Sequence, residues 1–405
     1  MSARRDRIRL ATVVFAVLLA QVLLYPGVPD LVAAVGATTT LDASMWFLAV
    51  EFAAFVAFAG IWGAISDRLG RRAPLVVAGA LGGAVGYFAL AVLPGALSLS
   101  FGGVLALRAV QGATTIGAFS LSMTMLMDLD GGHGKNMGAA GIAIGLGTAV
   151  GAPLGGRLYG LGGLVPLYAA GCLLVVAGLV ALSIPDRAPS SGDEQEADGS
   201  EEGGIRRAVT TLTERPVLGL PYVFGFIDRF TAGFFALVGT VYFRQAFDLD
   251  AGATGLMLGL FFAPFALLQY PFGVLSDRVG RTGPIVAGSA LYGFAVVGVG
   301  ISPTVPIAAV GMVVVGVIGA LMAPATMALV SDLSSESGRG TAMAGFNAAG
   351  SLGFLAGIVV GGTVADEFGF LAAFLTAGAL EIAIALVSIP AFLRIDPEGV
   401  SAFGG

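Results

Sequence analysis

The sequence contains one motif twice, as Gly63-Ala64-Ile65-Ser66-Asp67-Arg68-Leu69-Gly70-Arg71-Arg72 and as Gly273-Val274-Leu275-Ser276-Asp277-Arg278-Val279-Gly280-Arg281-Thr282. Each copy ends one long apolar run and precedes the next, so each occupies the short loop after the second hydrophobic segment of its half. A repeat at matching places in two halves predicts an internally duplicated membrane protein.

The composition is that of a chain whose outer surface faces lipid. Of 405 residues, 57% are hydrophobic and 11% are charged, and the mean hydropathy is +0.92. A soluble domain needs about 25% charged residues to cover its surface. Glycine is abundant, with 63 residues, and small residues allow membrane helices to approach closely. The composition therefore excludes an ordinary water-soluble domain.

Twelve apolar segments are long enough to span a bilayer, which needs about 20 residues. Numbered in chain order, the predicted spans are 9–28, 43–65, 73–94, 99–127, 136–158, 164–184, 216–243, 252–275, 283–301, 305–331, 340–362 and 369–392. The halves also match outside the repeated loop, since Asp128 at the end of span 4 corresponds to Asp332 at the end of span 10. The predicted fold is an all-α membrane protein with twelve transmembrane helices in two pseudo-symmetric six-helix bundles.

The two bundles, at 1–184 and 216–405, are separated by a linker at 185–215. Residues 190–204 are rich in Glu, Asp, Ser and Gly and cannot bury a core, which predicts a disordered acidic linker. Residues 205–213 are expected to form a short surface helix.

Basic residues indicate the orientation in the membrane. Most arginines and the single lysine fall in the N-terminal tail, the linker and the loops predicted on the same side. Cytoplasmic loops carry the excess of basic residues, which predicts a multi-pass cell-membrane protein with both termini in the cytoplasm. The arginines before the first apolar run also resemble a secretory signal, but no clear cleavage site follows, so we interpret this run as the first span.

Two further motifs lie in the first half. Span 4 contains Arg108-Ala109-Val110-Gln111-Gly112, and span 5 contains Gly151-Ala152-Pro153-Leu154-Gly155-Gly156. With the repeated loop, they make the chain resemble the major facilitator superfamily everywhere outside the linker and the tails. The first is similar to the family's R-x-x-Q-G motif. The second is similar to the G-x-P-x-G-G motif of the twelve-helix drug:proton antiporter branch.

The resemblance implies that the repeated loop is a gating element, a cytoplasmic contact between the halves that breaks when the inner gate opens. Its positions are Gly63, Asp67, Arg68, Gly70, Arg71 and Arg72 in one copy and Gly273, Asp277, Arg278, Gly280 and Arg281 in the other. Glycine permits a sharp turn, and an aspartate stabilises a helix N-terminus. The alternative is that the arginines only set the topology. Because Thr282 replaces the last arginine, we expect Asp277 and Arg278 to repeat the arrangement less strictly.

Arg108 lies well inside span 4, where a charge is costly and usually functional. It shares one helical face with Gln111, Thr115 and Ser122, and we expect this face to line a central cavity. The resemblance implies that Arg108 takes part in proton coupling. The alternative is a structural arginine bonded to backbone carbonyls.

Acids within spans are candidates for the counter-charge of Arg108 and for proton coupling. Glu51 in span 2 lies at a similar depth, and Asp228 in span 7 is the second candidate. Glu51 shares a helical face with aromatic residues; facing a cavity this face suits lipophilic cations, whereas facing lipid its aromatics are ordinary. Arg229 is predicted to pair with Glu381 of span 12, an arrangement equally compatible with a structural role.

Sparse polar side chains among aromatic ones predict a mostly apolar substrate pocket. Its candidate lining residues are Phe55, Thr115, Phe262, Phe265, Gln269 and Asn347, with Phe224, Phe235 and Ser351 as further members. For each phenylalanine the alternative is ordinary helix packing or lipid contact.

The sequence contains no phosphate-binding loop, metal cluster or nucleophile with a matching base, so we expect neither an enzyme nor a cofactor. The favoured function is a proton-coupled antiporter that exports small lipophilic compounds or metabolites by alternating access. The alternatives are a sugar or metabolite uniporter or symporter, and a transporter-like receptor that no longer transports. The expected partners are a small-molecule substrate, protons and the lipid bilayer, with no nucleic acid, and the expected state is a monomer.

Overall fold

The computed structural model describes residues 2–130, 133–186, 212–213, 215–335 and 338–395. All regular secondary structure in these ranges is helical. The predicted acidic linker, apart from its ends, and most of the short helix predicted at 205–213 lie outside the described residues.

The described part of the N-terminal half contains six long helices. They are α1 Ser2–Val22, α2 Leu41–Leu69, α3 Ala73–Leu97, α4 Phe101–Met127, α5 His133–Tyr159 and α6 Val165–Ala181. A 3-10 turn and a short helix extend the apolar stretch of α1 to Ala34. The start of α4 is capped by Ser100, whose hydroxyl accepts a hydrogen bond from the Gly103 amide at 3.4 Å, as helix N-termini require.

The C-terminal half begins with the irregular helix α7. It consists of a 3-10 turn at Pro216–Leu218, an α-helix at Gly219–Phe234, a π-helical turn at Phe235–Gly239 and an α-helix at Thr240–Ala246. The next helices are α8 Ala251–Val279, α9 Thr282–Gly300 and α10 Val305–Asp332. The final stretch, Arg339–Ile395, contains α11 (339–368) and α12 (370–395), which are separated at Gly369.

The helices of the described residues agree in number with the predicted spans. Ten helical stretches are long and apolar enough to cross a membrane, and α6 is a shorter apolar helix. The longest stretch, Arg339–Ile395, comprises two helices, because the backbone is not helical at Gly369, where φ is 84° and ψ is 168°. Glycine adopts this conformation without a steric penalty. The protein is therefore an all-α membrane protein, as predicted, and its described residues contain twelve long helices.

The chain divides into two compact units. The first comprises Met1–Gly203 together with Leu249–Gly259, and the second comprises Gly204–Asp248 together with Leu260–Gly405. The first turns of α8 thus belong to the first unit and the rest of α8 to the second. The predicted bundle boundaries place α8 wholly in the C-terminal bundle; the glycine contacts with α5 described below account for the difference.

Aromatic rings form much of the core of the second unit. The rings of Phe234 and Phe374 meet edge to face with centroids 4.9 Å apart, and those of Tyr242 and Phe374 are 4.8 Å apart. The ring of Phe235 packs against Phe261 of α8 at 5.6 Å. Aromatic pairs at these distances stabilise a core beyond their buried area, so they fix α7 against α8 and α12.

Candidate functional site

A buried ion pair joins α4 to α2. The Arg108 Nη2 donates to Glu51 Oε2 at 2.5 Å, and both side chains are 0% exposed. Gly112, one turn after Arg108, lies against the backbone of α2, since a Cβ there would be 3.0 Å from the Glu51 carbonyl oxygen. The glycine of the R-x-x-Q-G motif therefore lets α2 approach closely enough for its carboxylate to reach the arginine.

The ion pair continues along α4 as a chain of hydrogen bonds. Arg108 Nη1 donates to Gln111 Oε1 at 2.6 Å, and Gln111 Nε2 donates to Thr115 Oγ1 at 2.9 Å. The Thr115 hydroxyl in turn donates to the Gln111 carbonyl at 2.8 Å. The spacings of three and four residues place these groups on one helical face. Arg108 is thus bonded to side chains and not, as in the alternative interpretation, to backbone carbonyls.

Aromatic rings close the site. The guanidinium carbon of Arg108 lies 4.5 Å from the ring centre of Phe47 in α2 and 5.6 Å from that of Tyr87 in α3, distances at which a cation is attracted to a ring face. The sequence predicts that the face of α4 with Arg108 lines a central cavity. In the structure this face is enclosed, because the rings and Glu51 cover the charge, and Ser122 on the same face is also 0% exposed.

Several polar atoms at this site are buried without a hydrogen-bond partner. They are Glu51 Oε1, Arg108 Nε, Tyr87 Oη and Gln21 Nε2. Tyr25, in the 3-10 turn after α1, lies within electrostatic range of Glu51 and Arg108. Buried polar atoms normally have partners, so this cluster has unused capacity for a proton or a water molecule. Sequence reasoning missed Gln21, Tyr25 and Tyr87; the available signal was a polar group inside an apolar run.

The first copy of the repeated loop binds two aspartates. Gly70 ends α2 in the left-handed conformation, with φ 60°. Arg72 is buried, with 7% exposure, and its Nη1 donates to Asp128 Oδ2 at the end of α4. Asp186 Oδ1 accepts hydrogen bonds from the backbone amides of Arg72 at 2.9 Å and Ala73 at 3.1 Å, which caps α3. Asp67, Arg68 and Arg71 are exposed.

In the second copy, the arginine that binds the aspartates is Arg281, the ninth residue of the motif, whereas in the first copy it is the tenth residue, Arg72. Arg281 Nη1 donates to Asp277 Oδ1 at 2.5 Å, and its Nε donates to Asp332 Oδ2 at 3.0 Å. Burial lowers the pKa of the Arg281 guanidinium, but the hydrogen bonds to Asp277 and Asp332 outweigh this effect and raise the pKa above its usual range. Gly280 is left-handed, with φ 87°. The second loop is thus bonded through Arg281 to two aspartates.

Equivalent aspartates therefore bind non-equivalent arginines. Asp128 and Asp332 occupy matching positions, but Arg72 is the last residue of its motif, whereas Arg281 corresponds to Arg71. The two copies differ because the last motif position of the second copy is Thr282, an uncharged side chain that is 4% exposed and cannot bind Asp332 as an ion pair. Sequence reasoning matched the two aspartates but did not predict that they bind the loops.

The glycines of the α5 motif pack against α1. A Cβ at Gly155 would collide with the Leu23 carbonyl oxygen, and a Cβ at Gly151 would lie 2.8 Å from the Val22 Cβ. The helix runs through Pro153 without ending. These positions are glycine because the two backbones lie in direct contact.

The opposite edge of the same motif packs against the first turns of α8, within the first unit. A Cβ at Gly156 would meet the Ala251 carbonyl oxygen, and one at Gly259 would lie 2.7 Å from the Pro153 Cγ. A Cβ at Gly255 would collide with the Ala152 carbonyl oxygen. The motif of α5 is therefore matched by small residues of α8, which sequence reasoning did not single out.

Asp228 and Glu381 have different environments. Asp228 is half-buried, and its neighbour Arg229 is exposed with its Cγ near Gly350 of α11. The predicted pair of Arg229 and Glu381 does not form. Glu381 is 0% exposed, and its carboxyl contacts the hydroxyls of Thr231 and Ser289.

The substrate-lining candidates do not form one exposed surface. Thr115 is part of the hydrogen-bonded chain, and Phe262 is buried beside Phe261 at 4.8 Å. Half-buried positions are Phe55, Phe265, Gln269 and Ser351, and Asn347 is exposed. Phe224 and Phe235 belong to the core of the second unit, so ordinary packing explains them.

Among the described residues, no group of three or more His, Cys, Asp or Glu side chains is arranged to hold a metal ion.

Comparison with known proteins places these motifs in a family. The model of the Major Facilitator Superfamily matches residues 10–243 and 221–403. An uncharacterized MFS-type transporter of Methanocaldococcus jannaschii is 32% identical over 167 residues, which are 40% of this chain and 42% of that protein. The class G tetracycline resistance protein of Vibrio anguillarum is 29% identical over 243 residues, 59% of each chain. The matched segments thus span about half the length of these relatives.

A solved structure shares the fold. The human organic anion transporter MFSD10 (TETRAN) superposes with a TM-score of 0.69 and 21% identity, over 96% of this chain and 99% of that one. The family model covers both halves of the sequence and reaches from α1 to beyond α12. The chain therefore belongs to the major facilitator superfamily of membrane transporters.

Proposed function

We propose that this transporter is a proton-coupled antiporter that exports small lipophilic compounds or metabolites by alternating access. The observation that carries the proposal is the enclosed Glu51–Arg108 pair with its chain through Gln111 and Thr115. A carboxylate and a guanidinium removed from water inside a span are costly and mark functional positions.

A single proton changes the charge balance of this cluster. When Glu51 is ionised, it neutralises Arg108. A proton on the unpartnered Glu51 Oε1 removes the negative charge and leaves Arg108 as an uncompensated buried cation, which is strongly destabilising. The protein then favours a conformation in which Arg108 meets water or another acid. Protonation of Glu51 therefore shifts the population between two conformations.

The glycines at the contacts of α5 support the proposal that this helix moves during transport. The positions of α5 that contact α1 and the first turns of α8 include Gly151, Gly155 and Gly156. Glycines let two helix backbones approach closely. We propose that α5 moves along these close contacts during the transport cycle.

The substrate class rests on the α5 motif and on the relatives. The antiporter-type motif Gly151–Gly156 is intact, and one relative is named for tetracycline resistance. The half-buried Phe55, Phe265 and Gln269 and the exposed Asn347 remain the proposed lining residues. We propose that Asp228 is a second proton-coupling candidate, since it is a half-buried acid inside α7.

The proposed location is the cell membrane, with both termini and the repeated loops in the cytoplasm, where the loops act as gating elements. We propose a monomer that acts as a transporter and not as an enzyme, without a cofactor.

The test is proton movement in vesicles that contain the purified protein. A fluorescent dye reports an imposed pH gradient while tetracycline, a lipophilic cation or an organic anion is added. We expect the gradient to collapse in a compound-dependent manner, and we expect this collapse to disappear in Glu51→Gln and Arg108→Ala. The matched control is Glu367→Gln, because Glu367 is an exposed acid. Compound flux without proton movement would replace antiport with uniport.

A further inference from the structure

Glu381 of α12 is a second enclosed carboxyl group, located in the second unit. It is 0% exposed. Its Oε1 lies 3.0 Å from the Thr231 hydroxyl of α7, and its Oε2 lies 2.7 Å from the Ser289 hydroxyl of α9. The carboxyl group therefore joins three helices through hydroxyl groups, and none of the ion pairs among the described residues includes it.

The contacts of the two hydroxyls outnumber the hydrogens that they can donate. The Ser289 hydroxyl lies near two acceptors, the Glu381 Oε2 at 2.7 Å and the Glu381 carbonyl oxygen at 3.1 Å. The Thr231 hydroxyl also lies near two, the Glu381 Oε1 at 3.0 Å and the Ile227 carbonyl oxygen at 3.3 Å. Each hydroxyl has one hydrogen to donate. The two hydroxyls therefore have two hydrogens for four acceptor contacts, and two contacts are left without a hydrogen.

A proton on Glu381 supplies one of the two missing hydrogens. A neutral carboxyl donates from Oε2 to the Ser289 oxygen, which frees the Ser289 hydrogen for the Glu381 carbonyl. The 2.7 Å contact is the usual length of an O–H···O bond. An ionised carboxylate instead accepts from both hydroxyls and leaves the backbone contacts without a hydrogen.

The charged surroundings also favour a neutral carboxyl. Glu381 interacts electrostatically with Asp228 on α7 and Tyr292 on α9, and an acid within range disfavours a second negative charge. Arg229 on α7 is exposed, with its Cγ near Gly350. The apolar middles of α8, α10 and α11 contain no charged residue. An isolated ionised carboxylate is very costly in such a place.

We propose that Glu381 is held in this conformation as a neutral carboxylic acid and is a second proton-carrying site, in a different unit from Glu51. Its role in transport rests on the proposed proton coupling, but its protonation does not. When the proton leaves Glu381 Oε2 for water, both hydroxyls turn to the carboxylate. Release therefore requires water to reach a closed contact of α7, α9 and α12, so it accompanies a movement of these helices. The π-helical turn at Phe235–Gly239 begins one turn after Thr231, and such turns are frequent at functional sites.

The first experiment needs no substrate. Infrared difference spectra of the purified protein in lipid nanodiscs are recorded while the pH is raised from neutral. We expect a protonated-carboxyl C=O band that is absent in Glu381→Gln and unchanged in Glu367→Gln. Ser289→Ala should shift this band, since it removes the hydroxyl oxygen that accepts the hydrogen bond from the carboxyl group. Ser302→Ala, at the end of the same helix, should leave it in place. A spectrum of Glu381→Gln identical to that of the wild type would overturn the proposal.

The second experiment separates the two proton sites. In the vesicle assay, Glu381→Gln should retain compound-driven exchange but move fewer protons per compound, whereas Glu51→Gln should lose the exchange. An unchanged ratio would leave Glu381 a structural neutral acid and overturn its role as a second carrier. If neither the wild type nor any variant shows proton movement in vesicles, the antiport proposal fails while the infrared result stands.

The infrared experiment also tests for a bound cation. If the carboxyl C=O band disappears when Na⁺ is added at constant pH, the site binds a cation and the proposal is overturned.

Discussion

Arg108 is a full positive charge that no solvent reaches, and its neighbours explain how it is tolerated. A buried charge must be paired and hydrogen-bonded. Glu51 supplies the opposite charge, Gln111 supplies an oxygen, and the rings of Phe47 and Tyr87 cover the remaining faces. The partners come from α2, α3 and α4, so the environment of this one residue depends on the packing of three helices.

Arg108→Met should therefore be strongly destabilising, because it leaves the Glu51 carboxylate buried without its partner. Removing one member of a buried pair costs about 3–5 kcal/mol. The double variant Glu51→Gln with Arg108→Met removes both charges, and we expect it to unfold closer to the wild type than Arg108→Met does. Unfolding curves in detergent micelles measure this difference. Equal losses in the single and double variants would show that the charge pair is not what stabilises the contact.

At the scale of helices, α5 illustrates how glycine position determines packing. Its glycines at 147, 151 and 155 face α1, where a Cβ at Gly155 would collide with a backbone carbonyl. Gly141 of the same helix borders open space, because a Cβ there would have no neighbouring atom within 4 Å. The same residue type thus permits close contact at one position and only raises backbone flexibility at another.

Gly155→Ala should push α5 away from α1 and lower the free energy of unfolding by about 1–3 kcal/mol, as overpacking does. Gly141→Ala is the matched control in the same helix. It should be neutral or stabilising by up to about 1 kcal/mol, because alanine has the higher helix propensity. Thermal unfolding in the same detergent compares the two variants. A Gly155→Ala protein as stable as Gly141→Ala would contradict the close packing of α1 and α5.

At the scale of the whole molecule, the distribution of basic residues predicts the orientation in the membrane. The loop after α1 should lie outside the cell, and the segment after α6 should lie in the cytoplasm. Thr39 and Ser183 are exposed residues in these two places. They offer a direct test of the proposed topology because the chain has one cysteine, Cys172.

In a Cys172→Ser background, Thr39→Cys should react with a membrane-impermeant thiol reagent on intact cells. Ser183→Cys should react only after the membrane is permeabilised. The positive-inside bias is the physical reason, and mass-tagged gel shifts are the measurement. The opposite labelling pattern would place both termini outside and invert the proposed transport direction.

Local sequence patterns were sufficient to predict the fold and to select some of the site residues. The lengths of the apolar runs predicted twelve spans, and the repeated loop predicted the duplication, because spanning a bilayer constrains each segment independently of its neighbours. Arg108 and Glu51 could be selected because each is a charge inside an apolar run. The family resemblance from three motifs was confirmed by the family match.

The pairings between helices were decided by the tertiary structure. The partner of Arg72, the cap provided by Asp186 and the failure of Arg229 to meet Glu381 all depend on how each helix is rotated about its axis. A hydrophobic run that is apolar on every side specifies its length but not its rotation. Rotation is determined only when glycines, rings and hydroxyls of neighbouring helices pack together. The sequence alone thus determined which segments cross the membrane, and the packed structure decided which side chains meet.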